Sequence, residues 1–263
     1  MIVNILLFTD MQFSTPEVKK PVEPKSILLL GPPGGGKTTL AMQFPGVCFL
    51  DCDRNLDGPE RFIRTQYKDL SYGYLQVTYK EGKPVPVQDC LDRLFDLIDD
   101  LKKETVQTVV VDGLTMVNEF IVQKVLDGQK KPFMEPHFWG PFKSHFIKLL
   151  AGKLRSLGVT VICTCHETIL EKPNPDPSKM LQPLVIGYRP AVQGGITDYF
   201  GGFFTDVWRC TSLAASAGRV EFKINTIRDG LSDLKNSLGL PNEIVIKQDE
   251  LAWSKLAPYF AKL

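Results

Sequence analysis

The stretch SILLLGPPGGGKTTL, from Ser26 to Leu40, decides the fold of this chain. Its apolar first part predicts a buried strand, its prolines and glycines predict a turn, and its last residues are typical of a helix start. Four residues occupy the fixed positions of the pattern G-x-x-x-x-G-K-S/T, namely Gly31, Gly36, Lys37 and Thr38. The pattern indicates a phosphate-binding loop, because glycines let backbone N–H groups close around phosphate oxygens at the positive end of a helix.

The residues of this loop predict a nucleotide and a metal ion as ligands. The ammonium group of Lys37 is placed to reach the β- and γ-phosphates, and the hydroxyl group of Thr38 is placed to hold Mg²⁺. We expect the whole loop to bind the nucleotide: Gly31, Pro32, Pro33, Gly34, Gly35, Gly36, Lys37, Thr38 and Thr39. A glycine-rich turn that contains a lysine by chance is the alternative, and the strand and helix signals on either side disfavour it.

Composition and charge narrow the class of protein. The 263 residues suffice for one substantial α/β domain, and we expect a single core over residues 26–263, preceded by an edge strand and a linker over residues 1–25. The 31 basic and 30 acidic residues give a formal net charge of +1, so any polyanion other than a nucleotide must be bound by local groups. Six cysteines without a C-x-x-C pair and the lack of a secretory leader predict a cytoplasmic protein. We expect no membrane partner, because no apolar run reaches the roughly 20 residues that cross a bilayer.

Apolar runs alternate with amphipathic segments along the chain. Val47–Leu50, Thr108–Val111 and Val159–Cys165 predict buried strands, and the apolar residues of Val87–Lys103 recur at helical spacing. This alternation predicts an α/β fold with a mainly parallel, doubly wound sheet and helices on both faces. The segment Ile169–Gly202 is crowded with proline and glycine, and we expect an irregular loop that is functional or mobile.

Two acidic positions follow predicted strands that end at the same edge as the phosphate loop. Asp112 closes the run TVVVD and is the candidate second magnesium ligand, with helix capping as the alternative. Gly113 follows it, so the group that orients or deprotonates water must come from elsewhere. Asp53 on the neighbouring strand is the leading candidate, Asp51 and Asp57 are weaker ones, and simple Asx turns are the non-catalytic alternative.

The motifs GPPGGGKTT, FLDCDRNLDG and TVVVDG together resemble those of the RecA-like recombinase ATPases, and the resemblance spans about residues 26–230. Among these ATPases, the chain looks most similar to the small phage-encoded RecA-like single-strand-annealing ATPases. The resemblance implies a RecA-like P-loop NTPase core that uses ATP and Mg²⁺, in the host cytoplasm if a phage encodes it. In that family the position of Asp53 holds a glutamate that activates water. Aspartate is one methylene shorter, which implies slow hydrolysis or help from a neighbouring group.

The run VICTCHE extends the resemblance, because the family has a polar γ-phosphate sensor after this strand and a DNA-binding loop behind it. His166 takes the sensor position, so the implied catalytic residues are Lys37, Asp53 and His166. A plain strand-end histidine is one alternative. A zinc site with Cys163 and Cys165 is another, which is disfavoured because alternate strand residues face opposite sides and paired C-x-x-C spacing is missing.

Two predicted loops carry cations and aromatic rings, the combination that typically binds single-stranded nucleic acid. The candidate DNA-binding residues are Lys130, Lys131, Lys172, Lys179 and Arg189, with Phe133, Trp139, Tyr188 and Tyr199 beside them. Ordinary solvated loops have the same composition. By the resemblance, Arg228 and Lys235 lie where RecA-like proteins carry cations that reach the γ-phosphate of a neighbouring subunit, and surface salt bridges are the alternative role for both residues. This implies a homo-oligomer, either ring or filament, and a single-strand-binding protein as a further partner.

The leading hypothesis is a DNA-dependent ATPase that assembles on single-stranded DNA and promotes annealing or strand exchange in homologous recombination. A P-loop kinase of a small molecule or nucleotide is the first alternative. It requires an arginine-bearing lid that excludes water, and the proline-rich segment offers Arg189 alone. The second alternative is a nucleotide-gated loader or assembly protein with little hydrolysis, which the short side chain of Asp53 leaves open.

Overall fold

The structure is a computed structural model that describes residues 24–66, 72–101, 106–176, 178, 182–214, 220–247 and 250–261. The predicted edge strand at the N-terminus and the candidate DNA-binding residue Lys179 lie outside these ranges. The division of the chain at residue 25 therefore stays a prediction.

The described residues form strands and helices in alternation over most of the chain. The strands are β1 (Ser26–Gly31), β2 (Val47–Asp51), β3 (Gly73–Gln76), β4 (Tyr79–Lys80), β5 (Lys83–Pro84), β6 (Thr108–Asp112), β7 (Thr160–Lys172), β8 (Leu184–Pro190), β9 (Asp206–Ala214), β10 (Val220–Asn225) and β11 (Glu243–Ile246). The helices are α1 (Lys37–Ala41), α2 (Asp57–Gln66), α3 (Val87–Leu101), α4 (Leu114–Gln129), α5 (Trp139–Ile147) and α6 (Ala252–Phe260). Helix α5 continues through a π-helical turn at Lys148–Leu154 and a 3-10 turn at Arg155–Leu157.

Nine of the strands in the described ranges form one sheet, in the spatial order β3–β2–β6–β7–β1–β9–β10–β11, with β8 attached to β7. Neighbouring strands from β3 to β9 are parallel, whereas β10 and β11 continue the sheet in antiparallel fashion. Strand β7 lies between β1, which leads into the phosphate loop, and β6, which ends in Asp112. This topology confirms the predicted mainly parallel α/β sheet.

The inner strands are buried on both sides, as expected for a parallel sheet covered by helices. In β1, Leu28 and Leu30 pack into a cluster with residues of α3, α4 and α5. Ile27 and Leu29 pack into a second cluster with residues of α1 and α6. Strand β1 is apolar from Ile27 to Leu30 because each of its two faces is covered by a layer of helices.

The register of the strands brings their carboxyl ends to one edge of the sheet. Gly31 at the end of β1 is level with His166 in β7, and Asp51 at the end of β2 is level with Asp112 in β6. In open α/β sheets ligands bind outside this edge. The residues that the sequence singled out thus lie where a ligand is expected.

Most of the described residues in the segment predicted to be an irregular loop form regular structure instead. Strand β7 continues to Lys172 and pairs with β8, and a 3-10 helix spans Gly194–Phe203. The prediction was wrong because Pro173 and Pro183 flank the two strands rather than interrupt them, and proline at a strand end costs no ladder hydrogen bond. We call the two paired stretches, Glu167–Lys172 and Leu184–Pro190, the β7–β8 hairpin.

The phosphate loop packs directly against β9. A β carbon added to Gly31, whose φ is +152°, would overlap the carbonyl oxygen of Cys210. A β carbon added to Gly35 would lie 2.6 Å from the same oxygen. Only glycine permits so close an approach of two backbones. Two glycines of the loop are therefore required by the fold as well as by a ligand.

We predict that Gly31→Ala lowers the melting temperature of the ligand-free protein by at least about 4 °C, because the overlap with Cys210 adds to the strain of a positive φ. Thermal unfolding followed by circular dichroism measures the change. Gly58→Ala is the matched control, since nothing lies within 4 Å of its added β carbon and its melting temperature should not fall. Equal melting temperatures for both variants would contradict the prediction.

Candidate nucleotide-binding site

A cavity of about 490 Å³ opens at the carboxyl edge of the parallel strands. Its walls come from the phosphate loop, from the ends of β6 and β7, and from α2 and β10: they include Pro33, Gly34, Gly35, Gly36, Lys37, Thr38, Thr39, Asp53, Asp112, Thr164, His166, Phe62 and Phe222. Seven of the nine predicted nucleotide-binding residues line it. The other two, Gly31 and Pro32, supply carbonyl groups to the lysine of the loop.

Lys37 is nearly buried, with 7% of its surface exposed. Its Nζ donates hydrogen bonds to the carbonyl oxygens of Gly31 and Pro32, both at 2.9 Å. Burial lowers the pKa of Lys37, while the neighbouring acids Asp112 and Glu167 act in the opposite direction. Both hydrogen-bond acceptors of Lys37 are neutral carbonyl groups, and a phosphate group in the cavity would give the ammonium group an anionic partner.

Asp112 is the most buried acid of the site, with 1% of its surface exposed. The hydroxyl of Thr38 donates to both carboxylate oxygens, at 3.1 and 3.2 Å, and the hydroxyl of Thr164 donates to one of them at 2.6 Å. Thr164 in turn accepts the N–H of Gly113 at 2.8 Å. Burial raises the pKa of Asp112 to about 7, although the two hydroxyl groups favour the charged carboxylate. Negative charge is therefore held here at an energetic cost that a cation would offset.

The donors around Asp112 fit Mg²⁺, which prefers carboxylate and hydroxyl oxygens and is commonly bound together with phosphates. Thr38 and Asp112 already lie within hydrogen-bond distance, so one ion can contact both after the hydroxyl proton turns away. Thr164 was missed by the sequence analysis. Val111 of β6 pairs with Cys163 of β7. Thr164 therefore follows Cys163 at the level of Asp112, which follows Val111.

Asp53 has room to enter the cavity because the neighbouring strand, β6, is followed by Gly113, which has no side chain. A β carbon on Gly113, whose φ is +98°, would lie 3.1 Å from the Cβ and Cγ atoms of Asp53. The alternatives Asp51 and Asp57 line a different, smaller pocket, and the carboxylate of Asp51 accepts the N–H of Arg54 at 2.8 Å. Of the three acids, Asp53 is therefore the one placed beside the phosphate loop.

His166 lies beside the first glycine of the loop and lines the same cavity. Its Nδ1 is buried and has no hydrogen-bond partner among the described residues. Burial lowers the pKa of His166, and the charge of Lys37 lowers it further. Burial and the charge of Lys37 therefore both favour the neutral imidazole. No group of three or more histidine, cysteine or acidic side chains in the described ranges is arranged to hold a metal ion, so the zinc alternative gains no support.

Two aromatic side chains of the cavity were not expected from the sequence. Phe62 on α2 and Phe222 on β10 meet edge to face, with ring centroids 6.2 Å apart. Phe222 lies against Gly36 so closely that a β carbon there would be 2.5 Å from its ring. Aromatic faces stack on nucleobases. No local pattern could have revealed this pair, because its members are 160 positions apart in the chain.

The candidate DNA-binding residues separate into two regions. Arg189 lines a second cavity of about 660 Å³ beneath the β7–β8 hairpin, together with Tyr188, Tyr199 and Arg228. The residues Lys130 and Lys131 follow helix α4 and do not line this cavity, and Lys131 pairs with Glu135 at 3.2 Å. Lys172 is exposed at the end of β7.

The two cations expected to act on a neighbouring subunit differ in accessibility. The Nζ of Lys235 donates to the carbonyl oxygens of Gly201 and Phe204, at 3.1 and 2.7 Å, and so holds its own chain together. Arg228 is 72% exposed and lies 3.5 Å from the exposed carboxylate of Asp233. Only Arg228 therefore presents its charge to the surroundings.

The strand order and the cavity define the class of the protein. A phosphate loop after β1, a buried aspartate at the end of β6 and the strand β7 between them are the arrangement of a RecA-like P-loop NTPase. Residues 23–216 match the family of AAA domains described as AAA_24, and the chain belongs to this family of P-loop ATPases. A comparison with curated proteins gave no match.

Two solved structures illustrate how distant the similar folds are. The flagellar accessory protein FlaH of Methanocaldococcus jannaschii is 10% identical, over 86% of this chain and 85% of that chain, with a TM-score of 0.36. The ATPase EscN of the enteropathogenic E. coli type III secretion system is 16% identical, over 72% of this chain and 43% of that chain, with a TM-score of 0.43. The family assignment therefore depends on the AAA domain match.

None of the helices in the described ranges combines the length and the apolar character that a bilayer crossing requires.

We predict that Asp112→Asn stabilises the ligand-free protein at alkaline pH. The folded-state pKa of Asp112, about 7, lies above its unfolded value of 3.8, so the folded wild type loses stability as the pH rises through this interval. The melting temperature of the variant relative to the wild type should therefore increase from pH 5 to pH 8. The exposed residue Asp127 provides the control: Asp127→Asn should show no such trend. A constant difference across this range would contradict the assignment.

Proposed function

We propose that this protein is an ATPase that assembles on single-stranded DNA and promotes annealing or strand exchange in homologous recombination, with the bound nucleotide setting its affinity for DNA. One observation carries the proposal. Strand β7 has His166 in the nucleotide cavity and then continues without a break into the hairpin that covers the second cavity. A single strand therefore contributes to both candidate sites, through His166 in one and Leu170 in the other.

In the proposed reaction, Lys37 binds the β- and γ-phosphates of ATP, and Thr38 and Asp112 hold Mg²⁺. When bound, Mg²⁺ neutralises charge on the phosphates. Asp53 orients the attacking water and accepts its proton. His166 contacts the γ-phosphate from its position in the cavity wall beside Gly31. The rings of Phe62 and Phe222 bind the base.

The second cavity has the composition of a single-strand binding site. It combines the rings of Tyr188 and Tyr199 with the guanidinium group of Arg189. Bases stack on aromatic faces while cations follow the phosphates, which gives affinity without strict sequence preference. The protein as a whole has a net charge of only +1, so binding has to depend on such a local group.

We further propose that the core acts as a homo-oligomer, ring or filament, in which Arg228 reaches the γ-phosphate of a neighbouring subunit. An arginine supplied in trans stabilises transition-state charge and couples hydrolysis to assembly.

The kinase alternative loses support, because no arginine from the described residues lines the nucleotide cavity. The loader alternative depends on whether Asp53 supports turnover.

We predict that single-stranded DNA stimulates ATP hydrolysis by about tenfold, within the roughly 5- to 150-fold range of ordinary coupling between sites. A coupled phosphate-release assay with and without a long oligonucleotide measures the effect. Lys37→Ala should abolish turnover in both conditions. Rates that DNA does not change, together with no DNA binding in the presence of ATP and Mg²⁺, would overturn the proposed function. Phosphate transferred only to an added small-molecule acceptor would favour the kinase.

We predict that Asp53→Asn lowers kcat by about 10²- to 10⁴-fold, the usual contribution of a general base. Binding of ATP should change little, because the amide keeps the size of the side chain and the phosphate loop is intact. Asp57→Asn is the matched control from the same acidic segment, since Asp57 lies outside the nucleotide cavity. Unchanged turnover in Asp53→Asn would remove Asp53 as the base.

A further inference from the structure

The β7–β8 hairpin is fixed at its base by a nearly buried ion pair. Glu167, the residue after His166, receives two hydrogen bonds from Arg209 of β9, at 2.7 Å from Nε and 2.8 Å from Nη2. The exposed fractions of the two side chains are only 4% and 14%. A bidentate pair of this kind has fixed geometry, because the planar guanidinium group matches the planar carboxylate.

The same guanidinium group also contacts the second strand of the hairpin. The ring of Tyr188 on β8 lies under it, with 3.7 Å between the Cζ atom of Arg209 and the ring centroid. Tyr188 is in addition a wall of the second cavity. Arg209 therefore holds both strands of the hairpin, one through Glu167 and one through Tyr188.

Arg209 itself is fixed next to the phosphate loop. In the parallel register it is level with Leu30, the last residue before the first glycine of the loop. The following residue, Cys210, is the one whose carbonyl oxygen occupies the space left by Gly31 and Gly35. The segment Arg209–Cys210 thus contacts the phosphate loop on one side and the hairpin on the other.

From these contacts we infer that Glu167 and Arg209 are positioning residues that transmit the occupancy of the γ-phosphate position to the β7–β8 hairpin, with Tyr188 as the receiving side chain. The inference rests on the proposed role of His166 as the group that contacts the γ-phosphate. It adds the residues that connect the γ-phosphate position to the hairpin, and this transmission does not need DNA to be bound.

The physical reason lies in the geometry of neighbouring strand residues. His166 and Glu167 are consecutive in β7 and point to opposite faces, so a shift of the backbone that brings His166 to a phosphate also moves Glu167. Because the ion pair is nearly buried, separating the two groups would leave both charges without a partner at high cost. Arg209 must therefore follow Glu167, and its stacked position on Tyr188 changes with it.

Hydrogen–deuterium exchange of the hairpin amides tests the inference without any DNA. In the wild type, a non-hydrolysable ATP analogue with Mg²⁺ should change the exchange rates of residues 167–172 and 184–189 by about fivefold or more, the lower end of ordinary coupling between sites. ADP with Mg²⁺ should have a much smaller effect, since it leaves the γ-phosphate position empty. Wild-type exchange that does not respond to the analogue would overturn the inference.

Variants of Arg209 and Tyr188, each with a control, distinguish a loss of transmission to the hairpin from a general loss of stability. Arg209→Lys keeps the charge and loses the bidentate, stacked geometry, so the response of the hairpin should disappear while affinity for the analogue changes by less than about threefold. Tyr188→Ala should lose the response at residues 184–189, and Tyr188→Phe should keep it, because only the ring is needed. Glu243→Gln is the control: it removes the ion pair with Lys223 in the antiparallel part of the sheet and should leave the response intact.

The outcomes distinguish this inference from the proposed function. A full response of the hairpin in Arg209→Lys, or in Tyr188→Ala, would overturn the inference, while the proposed function would still be judged by the wild-type hydrolysis and DNA-binding assays. A wild-type response that the variants abolish, in a protein that fails to bind DNA, would support the connection and overturn the DNA partner. If Arg209→Lys melts at a much lower temperature than the wild type, the Tyr188 pair decides alone, since it leaves the ion pair in place.

Discussion

The buried carboxylate of Asp112 is the point on which the rest of the site depends. It is held by a hydroxyl group from the phosphate loop and by another from β7, so three separate parts of the chain meet at one charge. Burial raises its pKa to about 7, which means that the fold keeps this group where its ionisation is unfavourable. Parallel strands make this possible, because their carboxyl ends and the side chains that follow them meet at one edge of the sheet. A cation beside the phosphate loop would relieve the cost, and this would link stability to ligand binding.

Strand β7 connects the chemistry to the surface. Its first part is a buried member of the sheet, its middle part lines the nucleotide cavity at His166, and its last part leaves the sheet edge as one arm of the hairpin. A strand transmits a displacement along its length more directly than a loop, because its hydrogen bonds restrict it on both sides. The ion pair between Glu167 and Arg209 adds a lateral contact to β9, so the hairpin is joined to the sheet at two places.

Most of the core could be predicted from the sequence, and the reasons are local. The apolar runs and the helical spacing of Val87–Lys103 indicated the sheet and its covering helices. The hairpin could not be predicted in the same way, since its prolines suggested a loop and its strand character depends on pairing between Glu167–Lys172 and β8. The aromatic pair at the nucleotide cavity and the hydroxyl of Thr164 were missed for a related reason: each acquires its role only from a partner far away in the chain. Lys235 is the opposite case, a cation whose charge is taken up by carbonyl groups of its own chain.

The sequence by itself determined that this protein has a phosphate-binding loop, because strand, turn and helix start are contiguous and carry the fixed residues of the pattern. It also determined that acids follow the neighbouring strands. Only the tertiary structure decided which acid faces the phosphates, since Asp51 and Asp53 are two positions apart and their directions depend on the end of β2 and on the space left by Gly113. The tertiary structure likewise decided that Arg209 lies between the loop and the hairpin. That contact depends on the register of β1 with β9, whose residues are about 180 positions apart, and no local pattern encodes such a register.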